Sequence, residues 1–305
     1  MSKTKREGIM DGVMAYLLWG FLPIYWKSLN HVPPGEVLAH RIFWSFWFML
    51  ILLLIGKRIT SFKESFRQMV ENPKAMYALL AVSVLISINW LIFIWSVHAG
   101  KIVESSLGYY INPLISIVLG VLVLKEKLLR SHIIAFFLAV IGVIFLTVSY
   151  GQFPWISFAL ALSFGIYGLV KKVLPFDSSI GLTLETMAVM PIALFYIVML
   201  FVQGDQMSFI GDMKTNLLII ASGAATALPL LFFAKGVQKV PLYLMGFLQY
   251  IAPTIMLILG IFLYNEPFGT TQLISFTFIW GALLIVSLST IKWSGLNSKQ
   301  RDKIA

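Results

Sequence analysis

Residues 109–127 read YYINPLISIVLGVLVLKEK, and residues 249–267 read QYIAPTIMLILGIFLYNEP. Laid at an offset of 140, Tyr110-Ile111 falls on Tyr250-Ile251, Pro113 on Pro253, Gly120 on Gly260 and Glu126 on Glu266. The register runs without a gap from about residue 91 to 136, with Phe93 on Phe233, Val97 on Val237, Ile115 on Ile255, Ile134 on Ile274 and Phe136 on Phe276. Apolar matches are cheap in a hydrophobic chain. A proline, a glycine and a glutamate held in one register are not. The chain therefore reads as two related halves, 1–150 and 151–305.

Composition supplies the solvent. Of 305 residues, 59% are apolar and 12% charged, and mean hydropathy is +0.89. A soluble domain is about a quarter charged, and one of this size has no way to hide so much apolar side chain from water. Ordinary soluble enzymes and disordered chains are excluded. Ten apolar runs follow, at about 9–29, 36–56, 75–96, 102–124, 131–149, 153–170, 180–202, 215–234, 241–263 and 271–291. Each approaches the roughly 20 residues that a membrane helix needs. The first lacks a small-residue cleavage site and carries Lys27, so it reads as a retained span rather than a signal peptide. There are no cysteines, which removes disulfides and thiol chemistry.

Net charge is +10, from 23 Lys and Arg against 13 Asp and Glu. The basic residues lie between the apolar runs instead of on one face of a soluble domain, so nucleic acid is not an expected partner. With ten spans, 19 basic residues fall on one side and two, Lys101 and Lys214, on the other. In this count Lys171 and Lys172 belong to a loop. The bias places both termini in the cytoplasm. Five spans per half then oblige the second half to enter from the opposite side. The expected fold is all-α, integral to the membrane, with ten transmembrane helices as two inverted five-helix repeats, an architecture of many carriers. Between spans two and three, Phe62, Phe66, Met69 and Val70 recur at helical spacing among Lys63, Arg67 and Lys74, as in an interfacial helix.

Ionisable residues within spans are costly and by default face a cavity or a partner. Span two holds Glu36, His40 and Arg41. Glu36, His40 and Trp44 share one helical face. Arg41 is permanently charged and presents a fork suited to a carboxylate. It is either a ligand-facing group or the partner of Glu36 or Glu104. Lys27, at similar depth, is placed to pair with Glu36. His40 titrates near neutrality in its ordinary state. Glu185 is the acidic residue well inside a second-half span, nearer the cytoplasmic face. Lys27, Glu36, His40 and Glu185 are the coupling or gating candidates, and proton coupling is an expected feature. At mid-depth lie Asn89, Trp90, Tyr109, Tyr110, Asn112, Gln249 and Tyr250. Aromatic walls with amide groups suit a neutral or zwitterionic amphipathic ligand, and indole faces also hold cations. With Arg41 these are the substrate-binding candidates. Trp19 and Trp26 read as interface belts. Pro113 and Pro253, in equivalent places, are candidate hinges. Glu126 and Glu266, at span ends, are expected to fix helix packing.

The stretch from Tyr16 to Lys27 (YLLWGFLPIYWK), followed by Glu36 to Ser45 (EVLAHRIFWS), resembles the start of RarD-type proteins. These belong to the EamA branch of the drug/metabolite transporter superfamily. The Pro…Gly…Glu pattern is similar to that of both EamA repeats, with Asn265-Glu266-Pro267 where the first half has Lys125-Glu126-Lys127. The resemblance covers essentially the whole chain. It implies ten helices, two EamA-like repeats at 1–150 and 151–305, export of small organic molecules, and a historical association with chloramphenicol resistance.

No P-loop, His-Glu-x-x-His or Gly-x-Ser-x-Gly motif occurs, nor paired intramembrane aspartates. No catalytic residue, metal or cofactor is expected. The expected function is a secondary transporter of the cell membrane that exports amphipathic metabolites or drugs by alternating access. Its expected partners are a small-molecule substrate, the lipid bilayer and a second copy of the chain. The rival readings are a membrane enzyme acting at an outer His40/Glu36/Lys27 cluster and a non-transporting scaffold.

Overall fold

The computed structural model describes residues 3–99, 101–203, 208–210, 212–265 and 269–301. Glu266 and Pro267 lie outside them. The described chain is helical: α1 Lys3–Lys27, α2 Pro34–Ile55, α3 Ile59–Glu71, α4 Pro73–His98, α5 Ile102–Leu122, α6 Arg130–Tyr150, α7 Trp155–Val173, α8 Ser178–Val202, α9 Met213–Lys239, α10 Leu242–Gln249, α11 Ile251–Tyr264 and α12 Thr270–Arg301. A short 3-10 turn, Ser208–Ile210, precedes α9. Ten segments are long and apolar enough to cross a membrane, α10 and α11 together making one of them. The protein is a multi-pass membrane protein. Phe137, Val148, Phe195, Phe262 and Leu284 are among the large apolar side chains left on the outside, where hydrocarbon is the solvent.

The expected spans are present. The first begins earlier, at Lys3, and the last helix runs on to Arg301. Three further differences bear on the packing. The ninth is not one rod. Pro253 has no N–H to return to the carbonyl of Gln249, and the helix breaks at Tyr250 between α10 and α11. Its sequence equivalent Pro113 lies inside unbroken α5. The sixth span runs on to Val173 and takes Lys171 and Lys172 out of the loop. The eighth runs on to Lys239.

The most extensive helix contacts all join a helix before residue 151 to one after it. Helix α1 packs on α9 and α11, α4 on α7 and α8, α5 on α7 and α10, α2 on α8 and α9, and α6 on α12. The halves are interleaved, and neither has its own closed core. The short helix α3 rests on α4 and α8. Its Met69 is buried, and Arg58 beside it pairs with Asp177 at 2.9 Å.

The Pro…Gly…Glu signature has a mechanical meaning in the first half. Lys125, just beyond α5, takes a left-handed backbone with φ 55°, and Asn265, 140 residues on, takes φ 53°. This turn aims Glu126 at the start of α10, where its carboxylate accepts from the N–H groups of Leu242 (2.7 Å) and Tyr243 (2.9 Å). Those donors have no partner within their own helix, and a negative charge is favoured there. Gly120 makes room, since a Cβ on it would stand 2.6 Å from Glu126 Oε2. The expectation that Glu126 fixes packing is met by a helix cap. Beside it, Lys172 donates to the carbonyls of Val237 (2.9 Å) and Val240 (2.6 Å) at the end of α9. Glu104 does similar work for α7, accepting from the N–H of Ile156 at 2.9 Å.

Helices α2 and α9 approach most closely at Gly223, where an added Cβ would lie 2.4 Å from the backbone carbon of Trp44. Gly223→Val should therefore cost about 1–3 kcal/mol, read as a lowered unfolding midpoint in detergent. Gly281→Ala, where a Cβ meets nothing within 4 Å, should leave the midpoint in place. At the head of α8, partial burial works against the Asp177 carboxylate. Hydrogen bonds from Ser179 and the Arg58 guanidinium outweigh it and hold its pKa below the ordinary value. Its stabilising contribution is present above the ordinary carboxylate range and lost as pH falls through the lowered one. Asp177→Asn should flatten the acid limb of a stability–pH curve.

Candidate functional site

Pro33 and Pro34 open α2. Proline sets the helical φ in advance and gives up only a donor that the first turn leaves unpaired. Arg41 follows seven residues in, about 10 Å from that end at 1.5 Å per residue. The close approach at Gly223 aligns α2 with α9. Ser45 Oγ donates to the Gly223 carbonyl at 3.1 Å. One turn away, Arg41 Nε donates to Thr226 Oγ1 at 3.0 Å. The guanidinium carbon lies 4.3 Å from the centre of the Trp26 ring and 5.1 Å from that of Trp90. Tyr25 and Tyr109 stand within its electrostatic reach.

Neither expected ion pair of Arg41 forms. Glu36 is buried and accepts from the N–H groups of Ser208 (3.3 Å) and Phe209 (3.0 Å). Glu104 holds Ile156 and accepts from the Tyr150 hydroxyl at 3.1 Å. Backbone donors in fixed array have taken both carboxylates. The Lys27–Glu36 pair is also not made, because Lys27 Nζ sits 3.6 Å from the centre of the Tyr264 ring. His40 is buried and stacks on Phe209, centroids 4.7 Å apart, with both ring nitrogens unbonded. The proposed His40/Glu36/Lys27 cluster therefore lacks Lys27, while Glu36 stays within electrostatic reach of His40 but spends its carboxylate on backbone N–H groups. Trp26 serves Arg41 instead of an interface belt. Trp19 packs among Tyr16, Phe164 and Phe233 at 5.5–5.8 Å.

A narrow cavity runs inward between α2, α4, α7, α8 and α9. It is lined by Ile42, Ser45, Ile86, Trp90, Tyr167, Leu182, Glu185, Thr186, Val189, Thr226 and Leu230, with room for about one or two waters. Trp90 and Thr226, both partners of Arg41, belong to its wall. Glu185 closes the other end, seven residues into α8 and about 10 Å from that helix's start. Its carboxylate accepts from Lys171 Nζ at 2.6 Å and from the Tyr167 hydroxyl at 3.3 Å, all three side chains buried. The sequence carried a signal for this triad. A lone intramembrane glutamate calls for a counter-charge, and Tyr167 and Lys171, four apart, share a helix face. The adjacent Lys171-Lys172 pair reads equally well as a loop, which hides the partner.

The other mid-depth candidates divide. Asn89 gives its amide hydrogens to the Leu160 carbonyl (2.9 Å) and Ser163 Oγ (2.8 Å), tying α4 to α7. Tyr109 is 37% exposed and meets Phe93 edge-on. Tyr110 and Asn112 on α5, and Gln249 and Tyr250 at the break between α10 and α11, are not part of the cavity wall. The Tyr250 hydroxyl donates to the Tyr110 carbonyl at 3.3 Å. Asn112 Oδ1 and Gln249 Oε1 are buried without a donor.

The Lys171–Glu185 pair is fully desolvated, so removing one partner strands a buried charge. Lys171→Met should cost about 3–5 kcal/mol, whereas the double variant Lys171→Met/Glu185→Leu should recover most of that loss. Thermal unfolding of the four proteins in one detergent tests this. Additive single effects would show that the pair is not coupled.

The family model of the EamA-like transporter family matches residues 6–148 and again 154–288. The chain is 46% identical to the "Uncharacterized transporter YojE" of Bacillus subtilis (strain 168), covering 94% of this chain and 96% of that protein. It is 38% identical to "Protein RarD" of Escherichia coli (strain K12), over 98% of this chain and 99% of the relative. It is 26% identical to the "Chloramphenicol-sensitive protein RarD" of Pseudomonas aeruginosa, over 93% and 94%. A solved structure described as "Crystal structure of protein" superposes with a TM-score of 0.69 at 16% identity, covering 94% of this chain and 98% of the other, which supports the fold alone. Ten apolar helices, a cavity between interleaved halves and a family model matched twice lead to one assignment: the chain belongs to the EamA-like transporter family.

Proposed function

We propose that this protein is a secondary transporter of the plasma membrane, with both termini cytoplasmic, that exports small amphipathic organic molecules by alternating access. The observation that carries this reading is the cavity between the halves, with Arg41 and its indoles toward one end and the Lys171–Glu185 pair toward the other. The cavity is narrow, so the carrier reading requires it to widen to hold a solute. Separation of the helices at either end would then admit a solute from one side at a time.

Several observations support two inverted repeats. The contact of α1 with α9 has its counterpart in α4 with α7, that of α1 with α11 in α5 with α7, and that of α2 with α9 in α4 with α8. The contacts α2–α8, α5–α10 and α6–α12 are their own counterparts. Left-handed residues at Lys125 and Asn265 end equivalent helices. The basic bias of the connecting segments supports a cytoplasmic location for the end at which α1 begins. Relatives bear the names transporter, RarD and chloramphenicol-sensitive protein, which support a transport role; amino-acid-like or chloramphenicol-like cargo is part of the proposal. His40 and Glu185 are the titratable groups placed toward opposite faces for proton coupling. Arg41 and Trp90 contact the solute in this reading. Tyr110, Asn112, Gln249 and Tyr250 act at the bend of the ninth span.

Flux into proteoliposomes, measured over a panel of amino acids, aromatic acids, nucleosides and chloramphenicol, tests the proposal. Arg41→Ala and Trp90→Ala should each lower flux at least about tenfold at equal protein content, the scale of a lost charge-assisted contact. Flux unchanged in both variants would falsify the assigned site, and absence of flux for every solute would sink the carrier reading.

A further inference from the structure

The charges around the cavity are unequal in how they are compensated. Lys171 has its carboxylate at 2.6 Å, supported by the Tyr167 hydroxyl. Arg41 forms no salt bridge with any described residue. Among the described residues it donates only through Nε, to Thr226, while the indoles of Trp26 and Trp90 face its plane and the phenols of Tyr25 and Tyr109 stand within electrostatic reach. Glu36, one helical turn away, is occupied by two backbone N–H groups. Among the described residues, the two terminal nitrogens of the guanidinium therefore meet no hydrogen-bond acceptor. A guanidinium about 10 Å from the helix end and walled by indoles is costly without an anion. The edge left open is the one that grips a carboxylate through two parallel hydrogen bonds.

We propose that the transported solute is an organic monocarboxylate with an aromatic or other flat apolar body. Its carboxylate seats on the terminal nitrogens of Arg41, and its body lies against Trp90 and toward Tyr167. This rests on the carrier reading above and narrows its cargo. Glu185 serves as the built-in carboxylate of the far end. By satisfying Lys171 it removes a second anion subsite and restricts the cavity to one added negative charge. An ammonium group on the solute would have to compete with Lys171 for Glu185, so a free amino acid is a poorer fit than the corresponding acid. Glu185 and Lys171 are thus specificity-determining residues, and Arg41 is the residue that touches the charge.

The test uses the full chain in detergent, with binding read by calorimetry and by the shift in unfolding midpoint. The probes share a phenyl body: phenylacetate, phenylacetamide, free phenylalanine and phenylsuccinate. The unmodified protein should prefer phenylacetate to the amide and to phenylalanine by at least about tenfold. Arg41→Gln should abolish that preference, and Arg41→Lys should restore it only in part, since lysine lacks the fork. Glu185→Gln frees Lys171 and should shift the preference toward the dicarboxylate phenylsuccinate. Equal binding of acid and amide by the unmodified protein overturns the proposal without any variant having to fold, as does failure of all four probes to bind. If the amide or phenylalanine crosses proteoliposomes while phenylacetate does not, the charge assignment fails and the carrier reading stands. If no solute of the wider panel crosses, the carrier reading itself fails.

Discussion

In hydrocarbon, a backbone N–H or an ionised group without a partner costs several kcal/mol. The use of carboxylates in this protein follows from that constraint. Glu126 holds the start of α10, Glu104 the start of α7, and Glu36 the turn before α9. Asp177 and Asp212 cap α8 and α9. Glu185 holds Lys171, while Glu7 and Asp11 hold Lys239. Glu71 pairs with Arg67 along α3. Among the described carboxylates only Glu64, exposed on α3, is left over. Among the described residues, the negative charges near the bilayer are committed to helix starts and lysines, and none of them pairs with Arg41.

That commitment shapes both the scaffold and the site. Charged caps let helices begin within the membrane zone, so the interleaved packing does not strand backbone donors. The same caps hold the cavity's neighbours in place. Glu36 fixes the turn that sets Phe209 on His40, and Glu126 and Lys172 fix the junction of α9 with α10. Between these fixed ends, the cavity wall is made from side chains of both halves. Relative movement of the halves must therefore change its shape.

The ten spans were legible because each is a local property: a run of about 20 apolar residues partitions into lipid whatever its neighbours do. Even there, boundaries moved, and two of the shifts have a visible cause. Lys171 and Lys239 look like loop residues in a window average, yet each is carried inside a helix by a carboxylate that the window does not contain. Span nine looks like its counterpart, yet of the matched pair Pro253 sits at a break and Pro113 inside a continuous helix, a difference that the shared motif does not encode. Arg41, Trp90 and Glu185 were legible as candidates from the cost of burying charge and the clustering of aromatic groups. Their partners were not. Thr226 is an ordinary threonine in the sequence, and Trp26 is placed where an interface residue would be.

The amino-acid sequence by itself determined that the chain lives in a bilayer, how many times it crosses, that its halves share a motif, and which few ionisable residues lie at depth. Each follows from hydropathy, charge and spacing summed along the chain. Only the tertiary structure decided which of those residues meet. Arg41 finds Thr226 across 185 positions and Glu36 finds Phe209 across 173. Electrostatic pairing falls off over a few ångströms, and the helices that come within that range are chosen by packing between the two halves. No local pattern records that choice.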